Sequence, residues 1–288
     1  MDKAGRLYIC GTPIGNLEDI SLRALKVLKK VHLIAAEDTR RTRNLLNYYQ
    51  IKTSLKSYHE HNERERTGEL ISLLKEGKDI ALVSDAGMPG ISDPGKVIFK
   101  AAVEEGIELI PIPGPTAAIS ALVVSGLRMD RFVFEGFLPR SGKERKQRLA
   151  AIKGEERTVI IYESPYRLRD TLQELLDLLA ERKVAVVREI SKVHEEKVYG
   201  QVEEVLSFYA DQEPKGEFVI VIEGRPAPEF SKEGWEDMTV LEHLKLIMDQ
   251  GVSKKKAIKE VALIRGLPKR KVYSEAVVID YIDNDNKF

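Results

Sequence analysis

The sequence carries a single cysteine, Cys10, in 288 residues. No internal disulfide and no cysteine metal cluster can form, so the chain must be held by its core. No apolar run approaches the roughly 18 residues of a membrane span. Met1 to Arg6 lead straight into a strand-like segment with no secretory signal, so a cytoplasmic location and no membrane partner are expected. Charge of one sign is not in excess either: 46 basic residues face 46 acidic ones, which excludes a protein that coats nucleic acid by bulk charge. There is no phosphate-cradling Gly-Lys-Ser/Thr loop, no spaced-glycine dinucleotide fingerprint and no Gly-x-Ser-x-Gly elbow. His59 and His61 lie close to Glu60 and Glu63, but in no zinc spacing, so no metal is expected.

What is present is a globular composition, 43% hydrophobic and 32% charged, at a length suited to about two domains. The first half alternates short apolar runs with helical patterns. Strands are expected at Leu7–Cys10, His32–Ala36, Asp79–Ser84 and Ile107–Ile112. Ser21 opens a helix, Asn62 with Glu65 resembles a capping box, and Asp93-Pro94 reads as a cap and first-turn pair for a helix closed by Gly106. Thr116–Ser125 is a small-residue helix. Strands separated by helices predict an α/β fold with a largely parallel sheet. The second half alternates likewise, with strands at Arg131–Glu135, Thr158–Tyr162, Val184–Arg188 and Glu217–Glu223 and helices at Lys143–Ile152 and Tyr166–Glu181. Lys197–Val202 reads as an extra, antiparallel strand. After a Pro/Gly-rich break from Gly224 to Gly234, three helices follow: Leu241–Asp249, Lys254–Arg265 and Lys269–Ile282. The layout is two α/β lobes, 1–113 and 114–224, and a helical tail domain, 225–288.

Ligands of parallel sheets sit beyond the carboxyl ends of the strands. Four such ends here are rich in glycine, proline and small polar residues: Gly11–Asn16, Ser84–Gly95, Pro113–Ala118 and Glu163–Arg167. Glycine lets a backbone approach a ligand closely and proline fixes its path. One such loop is ordinary turn packing; four in one chain point to a small polar molecule gripped by main-chain groups. Basic clusters stand at Arg40, Arg41 and Arg43, at Arg140–Arg148 (five basic, one acidic), and at Lys254–Lys271 (eight basic, one acidic). Each alone is as readily a solvated helix face as a nucleic-acid contact.

Several stretches together resemble a known family. They are Thr12-Pro13-Ile14-Gly15-Asn16-Leu17, Ala36-Glu37-Asp38-Thr39-Arg40, His59-Glu60-His61-Asn62-Glu63 and the twelve residues from Ser84 to Gly95. Pro113–Ala118, Phe134–Pro139, Tyr162-Glu163-Ser164-Pro165, Arg188-Glu189 and Lys215-Gly216-Glu217 belong to the same set. The chain resembles the tetrapyrrole-methylase superfamily, and within it the bacterial small-subunit ribosomal RNA cytidine 2′-O-methyltransferases, over residues 6 to 224 and more faintly in the tail. Where many superfamily members have Gly-Asp-Pro this chain has Ser84-Asp85-Ala86, which fits the RNA branch better than the corrin enzymes.

The resemblance implies a two-lobed fold with S-adenosylmethionine in the cleft, a homodimer, and small-subunit ribosomal RNA or the 30S subunit as partner. By that analogy the cofactor touches Pro13, Ile14, Asp85, Ala86, Met88, Thr116 and Ala117, together with Tyr162, Gly216 and Glu217 from the second lobe. A ribose hydroxyl is a poor nucleophile, so a base within hydrogen-bond reach is expected. Asp38, His59 and Glu163 are the candidates, with salt-bridging or helix capping as the bland alternative. Arg40, Arg41, Arg140, Lys143, Arg145 and Arg148 are candidates for phosphate contacts near the cleft. The tail is read as an RNA grip, with dimer packing as the alternative. A small-molecule methyltransferase acting on a macrocycle and a non-catalytic RNA-binding assembly protein remain as rival readings; the basic clusters argue against the first and the open strand-end loops against the second.

Overall fold

Four-residue apolar runs such as Ile80-Ala81-Leu82-Val83 must be covered on both faces, because alternate side chains point to opposite sides. The computed structural model, which describes residues 4–179, 181–225 and 238–285, shows how. The first sheet contains β1 (Leu7–Cys10), β2 (Leu33–Ala36), β3 (Leu55–Ser57), β4 (Ile80–Val83) and β5 (Leu109–Ile112) in the order β3-β2-β4-β1-β5. All its pairings are parallel. On one face, Ala81 and Val83 join Cys10, Ile34, Ala24 and Leu28 of α1 (Leu22–Lys30) and Leu46 of α2 (Thr39–Tyr48). On the other, Ile80 and Leu82 pack with Leu70 and Leu74 of α3 (Glu63–Lys75) and Ile98 and Ala102 of α4 (Lys96–Glu104). Cys10 is fully buried, and burial pushes its thiol up to about 12.

The second sheet contains β6 (Phe132–Phe137), β7 (Thr158–Glu163), β8 (Lys183–Arg188), β9 (Glu196–Gln201) and β10 (Phe218–Ile222) in the order β6-β7-β10-β8-β9. Here the alternation of strands and helices does not bring parallel pairing, and the extra strand is antiparallel as expected. Only β6–β7 is a parallel pair; β10 runs antiparallel to both β7 and β8, and β9 antiparallel to β8. α5 (Ala117–Val124) covers one face through Ala118, Ala121 and Leu122. α6 (Gly142–Gly154), α7 (Leu168–Leu179) and α8 (Val202–Ala210) cover the other. The five-residue run of β10 splits accordingly: Val219 and Val221 face α5, while Phe218, Ile220 and Ile222 face the three helices.

The helix starts expected at two sites differ. α4 begins at Lys96 with Gly95, at φ 148°, before it, so Asp93 does not cap it. Asn62 precedes α3 but spends its side-chain oxygen on the His59 N–H (2.9 Å), not on the helix. The chain divides into two compact units, Met1–Pro226, which holds both sheets, and Ala227–Phe288. The Gly224–Gly234 break lies mostly outside the described residues. The second unit packs α9 (Val240–Asp249), α10 (Lys254–Ile264) and α11 (Lys269–Asp285) around Leu244, Ile247, Ala257, Val261, Val272 and Ala276. Thr239 and Glu242 form the capping box of α9, and the Arg265 guanidinium donates to the Met238 carbonyl (2.7 Å), tying the end of α10 to the start of α9. No helix among the described residues is long and apolar enough to cross a membrane.

Candidate active site

β4, β1 and β5 are neighbours in the first sheet, so the loops after their carboxyl ends lie side by side. Two backbone bonds clamp the first pair: Thr12 N–H to the Gly87 carbonyl (2.9 Å) and Gly87 N–H to the Thr12 carbonyl (3.1 Å). The buried Thr12 hydroxyl donates to the Ser84 carbonyl (3.1 Å). The loops after β1 and β5 cross so closely that a Cβ on Gly11 would lie 2.7 Å from the Gly114 Cα. Glycine is required on both sides of that crossing.

The antiparallel β10 completes the site from the second lobe. Its register sets Phe218 beside Glu163 and Val219 beside Tyr162, so the start of β10 stands with the ends of β7 and β8. Between these loop sets lies a cavity of about 290 Å³. Eight of the ten expected cofactor residues line it: Ile14, Ala86, Met88, Thr116, Ala117, Tyr162, Gly216 and Glu217. The Tyr162 hydroxyl accepts the Ala118 N–H (3.2 Å), and its ring meets Phe134 and Phe137 edge-on. Glu217 pairs with Lys192 (3.0 Å), which also holds Glu189 (2.7 Å).

Pro13 and Asp85 are not among the lining residues. Asp85 instead accepts the Asp38 N–H (3.0 Å) and pairs with Arg41 (3.3 Å), fixing the start of α2. The three base candidates are placed elsewhere than a free base requires. Asp38 caps α2, accepting the Arg40 N–H (2.8 Å), and the Arg40 guanidinium on it holds its carboxyl at about 2. Glu163 borders the cavity, but its carboxylate accepts the Ser164 N–H (2.8 Å) and the Thr171 hydroxyl (2.7 Å) and pairs with Arg167 (2.6 Å). It is the buried anchor of the turn into α7. His59 lies against Asn62 (3.1 Å between Nε2 and Nδ2) and does not line the cavity.

Arg145 is corrected as an exposed phosphate contact. It is 5% exposed and reaches Glu174 (2.9 Å), the Thr171 hydroxyl (2.8 Å) and the Pro139 carbonyl (2.9 Å), joining α6 to α7. Arg148 is half-buried on Glu135 (2.9 Å). Arg40, Arg41, Arg140 and Lys143 are exposed, the first two on carboxylate partners.

The sequence reading passed over Ile91, Ser92, Asp93 and Phe137, which also line the cavity. The first three stand in the Ser84–Gly95 run, which was itself the available signal. Asp93 is the notable one: burial first, then the nearby Glu37, pushes its carboxyl up to about 7. Ile91, Ser92 and Phe137 also border an adjoining groove of about 530 Å³ that includes Lys96, Phe134 and Arg148. No group of three or more metal-ligating side chains is placed to hold an ion among the described residues.

Two α/β lobes gripping one cleft through glycine-rich strand ends define a small-molecule-binding enzyme fold of the methylase type. The family described as Tetrapyrrole (Corrin/Porphyrin) Methylases matches residues 6–206, and the chain belongs to it. A relative from Halalkalibacterium halodurans, named Ribosomal RNA small subunit methyltransferase I, is 47% identical over 274 residues, covering 95% of each chain. A protein of the same name from Thermotoga maritima is 50% identical over 221 residues, covering 77% of this chain and 99% of that one. Among solved structures, the uroporphyrin-III C-methyl transferase of Thermus thermophilus complexed with S-adenyl homocysteine has a TM-score of 0.57 at 18% identity, covering 76% of this chain and 97% of that one. At that identity the likeness concerns the fold.

Proposed function

We propose that this protein transfers a methyl group from S-adenosylmethionine to the ribose 2′-hydroxyl of a cytidine in small-subunit ribosomal RNA. The observation that carries the reading is the 47% identity, end to end, with a relative named for small-subunit ribosomal RNA methylation. The residues present suit the cofactor. Main-chain groups from Ile14, Ala86, Thr116, Ala117 and Gly216 can bond the adenine and ribose edges, Met88 and Tyr162 offer apolar contact, and Asp93 and Glu217 supply negative charge for a cation. Pro13 and Asp85 act from behind the cavity wall in this reading. When bound, the cofactor supplies an electrophilic methyl on a sulfonium.

The chain's own part is to exclude water and to align an acceptor oxygen, since positioning supplies much of the acceleration of an in-line displacement. The adjoining groove, with Phe134 and Phe137 for a base and the exposed Lys96 for phosphate, is the acceptor's place, and Arg148 braces its wall through Glu135. Arg40, Arg41, Arg140 and Lys143 extend the basic surface. Asp93 lies where the cavity and its Ser92 border meet that groove, and takes the hydroxyl proton in this reading; Asp38, His59 and Glu163 are anchored in other work. The lobes run over 1–113 and 114–224. A homodimer is supported by the exposed Ile119 and Val123, four residues apart on α5, beside the exposed Tyr199, whose hydroxyl donates to the Val124 carbonyl. The setting is the cytoplasm, where ribosomal RNA and 30S subunits are found.

The test is to incubate the protein with methyl-labelled S-adenosylmethionine and 30S subunits or free RNA from an unmodified strain, digest, and identify the labelled nucleoside. Label in 2′-O-methylcytidine is expected. Label on a base, or none in either substrate, overturns the proposal.

A further inference from the structure

The second unit has a groove of its own. About 710 Å³ of space between α10 and α11 is lined by Lys254, Lys255, Ile258, Lys259, Lys269, Arg270, Tyr273 and Val277. The helices' inward stripes, Ala257, Val261 and Val272, Ala276, are consumed by the small core with α9, and Ile258 forms the floor between that core and the groove. What remains at the groove is systematic. Lys255 and Lys259 are four apart on α10, and Arg270, Tyr273 and Val277 are three and seven apart on α11, so each set lies on one helix face.

We propose that this groove binds the sugar–phosphate backbone of single-stranded RNA, with a base stacked on Tyr273. Five of the eight lining residues are cations and none is an acid, in a chain whose overall charge is balanced. Among the described residues, Lys255, Lys259, Lys269 and Arg270 take part in no ion pair, so no carboxylate of the chain neutralises their charge. Tyr273 is 61% exposed and Val277 37% exposed, an aromatic face held between basic rows. Cations along a groove with an aromatic platform are what a single strand requires, since phosphates need charge and unpaired bases need a π-face. An acidic polypeptide would use the charge but leave the tyrosine face without a stacking partner.

The groove is separate from the methyl-transfer site in the chain. Identification of the groove as a grip on the enzyme's own substrate rests on the methyltransferase reading above.

The experiment uses the full chain with Lys255, Lys259, Lys269 and Arg270 all changed to Ala, and a second variant, Tyr273→Ala. All five side chains are exposed, so folding is preserved. Binding of a labelled single-stranded oligoribonucleotide, its duplex form and a polyglutamate competitor is measured across salt concentrations, with S-adenosylmethionine affinity measured in parallel. The four-fold variant should lose at least ~10-fold in single-strand affinity and about 3 from the slope of log affinity on log salt, near 0.7 per lost phosphate contact. Tyr273→Ala should lose about 5-fold or more with its salt slope unchanged. Cofactor affinity should not move in either. Unchanged RNA affinity and slope in both variants, or displacement of RNA by polyglutamate at equal potency, overturns the proposal. Absence of methyl transfer to any RNA in the wild-type chain, with the binding results intact, fails only the methyltransferase reading.

Discussion

Asp93 sits in a net-negative corner of the cleft. Burial does most to raise its carboxyl to about 7; Glu37, Asp85 and Glu217 add to the rise and a hydrogen bond from Ser84 opposes it. A cation entering the cavity reverses that balance, because it favours the ionised form. Binding of S-adenosylmethionine then expels a proton around neutrality, and its affinity rises with pH. If the ionised form alone binds the sulfonium, affinity climbs by up to about tenfold between pH 6 and 8. S-adenosylhomocysteine, with a neutral sulfur, should show a flatter profile, and Asp93→Asn should flatten the profile of S-adenosylmethionine. Calorimetry in buffers of different ionisation enthalpy reads both affinity and proton release; an identical pH dependence in the Asn variant would show that another group titrates. The same carboxyl affects stability in the opposite direction. Its folded value lies above its unfolded one, so the folded state holds the extra proton between about 4 and 7 and loses stability as pH rises through that window.

Asp93 also shows how much a sequence can say. Asp followed by Pro is a frequent helix opening, and local pattern alone favours that reading; here Gly95, at φ 148°, starts the helix and leaves the acid facing the cleft. The same limit applies to Glu163 and Arg145. Their types and positions announce chemistry, but whether a charged side chain is free depends on partners such as Thr171 and Glu174, which stand on α7 and are placed only by folding. The main-chain contributors were easier to recognise, because glycine and proline at a strand end specify a backbone path without needing a distant partner.

At the level of elements, the first lobe was largely legible, since each apolar run is followed by a helical pattern and parallel pairing is the only economical way to join them. The exceptions are informative. β3 is three residues at a sheet edge, too short to show a period, and α2 is amphipathic but mainly polar and charged, so its narrow apolar stripe is easily passed over. β10 is buried on both faces, and such a run has no feature that states its direction. Yet its reversal is what brings Gly216 and Glu217 to Tyr162. The crossing of the loops after β1 and β5 is the most demanding packing in the cleft. Gly11→Ala would drive a methyl against the Gly114 backbone, which has no side chain to rotate away. Overpacking of this kind costs about 1–3 kcal/mol, visible as a lower denaturant midpoint. Because the displaced segment carries Ile14, cofactor affinity should fall by at least ~10-fold. A variant with reduced stability and unaltered cofactor affinity would place the cofactor away from this crossing.

At the level of the whole molecule, the chain divides into two units, each packed around hydrophobic clusters of its own. Both sheets, with the four clusters that cover their faces, belong to the unit ending at Pro226. α9, α10 and α11 have a core of their own. The helical tail was readable as the three helices Leu241–Asp249, Lys254–Arg265 and Lys269–Ile282, but the groove between two of its helices was not, because periodicity fixes a face and not what that face meets. If no element of the cleft depends on the tail, a chain ending at residue 225 should unfold cooperatively within a few degrees of the main transition of the full protein. It should bind S-adenosylmethionine with the same affinity, since every cavity-lining residue precedes the cut. RNA affinity should fall and its salt dependence weaken, because the chain surrenders the largest of its three basic clusters, eight cations between Lys254 and Lys271. Scanning calorimetry and filter binding on the two chains decide the matter. Loss of cofactor binding on truncation would mean that the tail is part of the active site, and that the two units work as one.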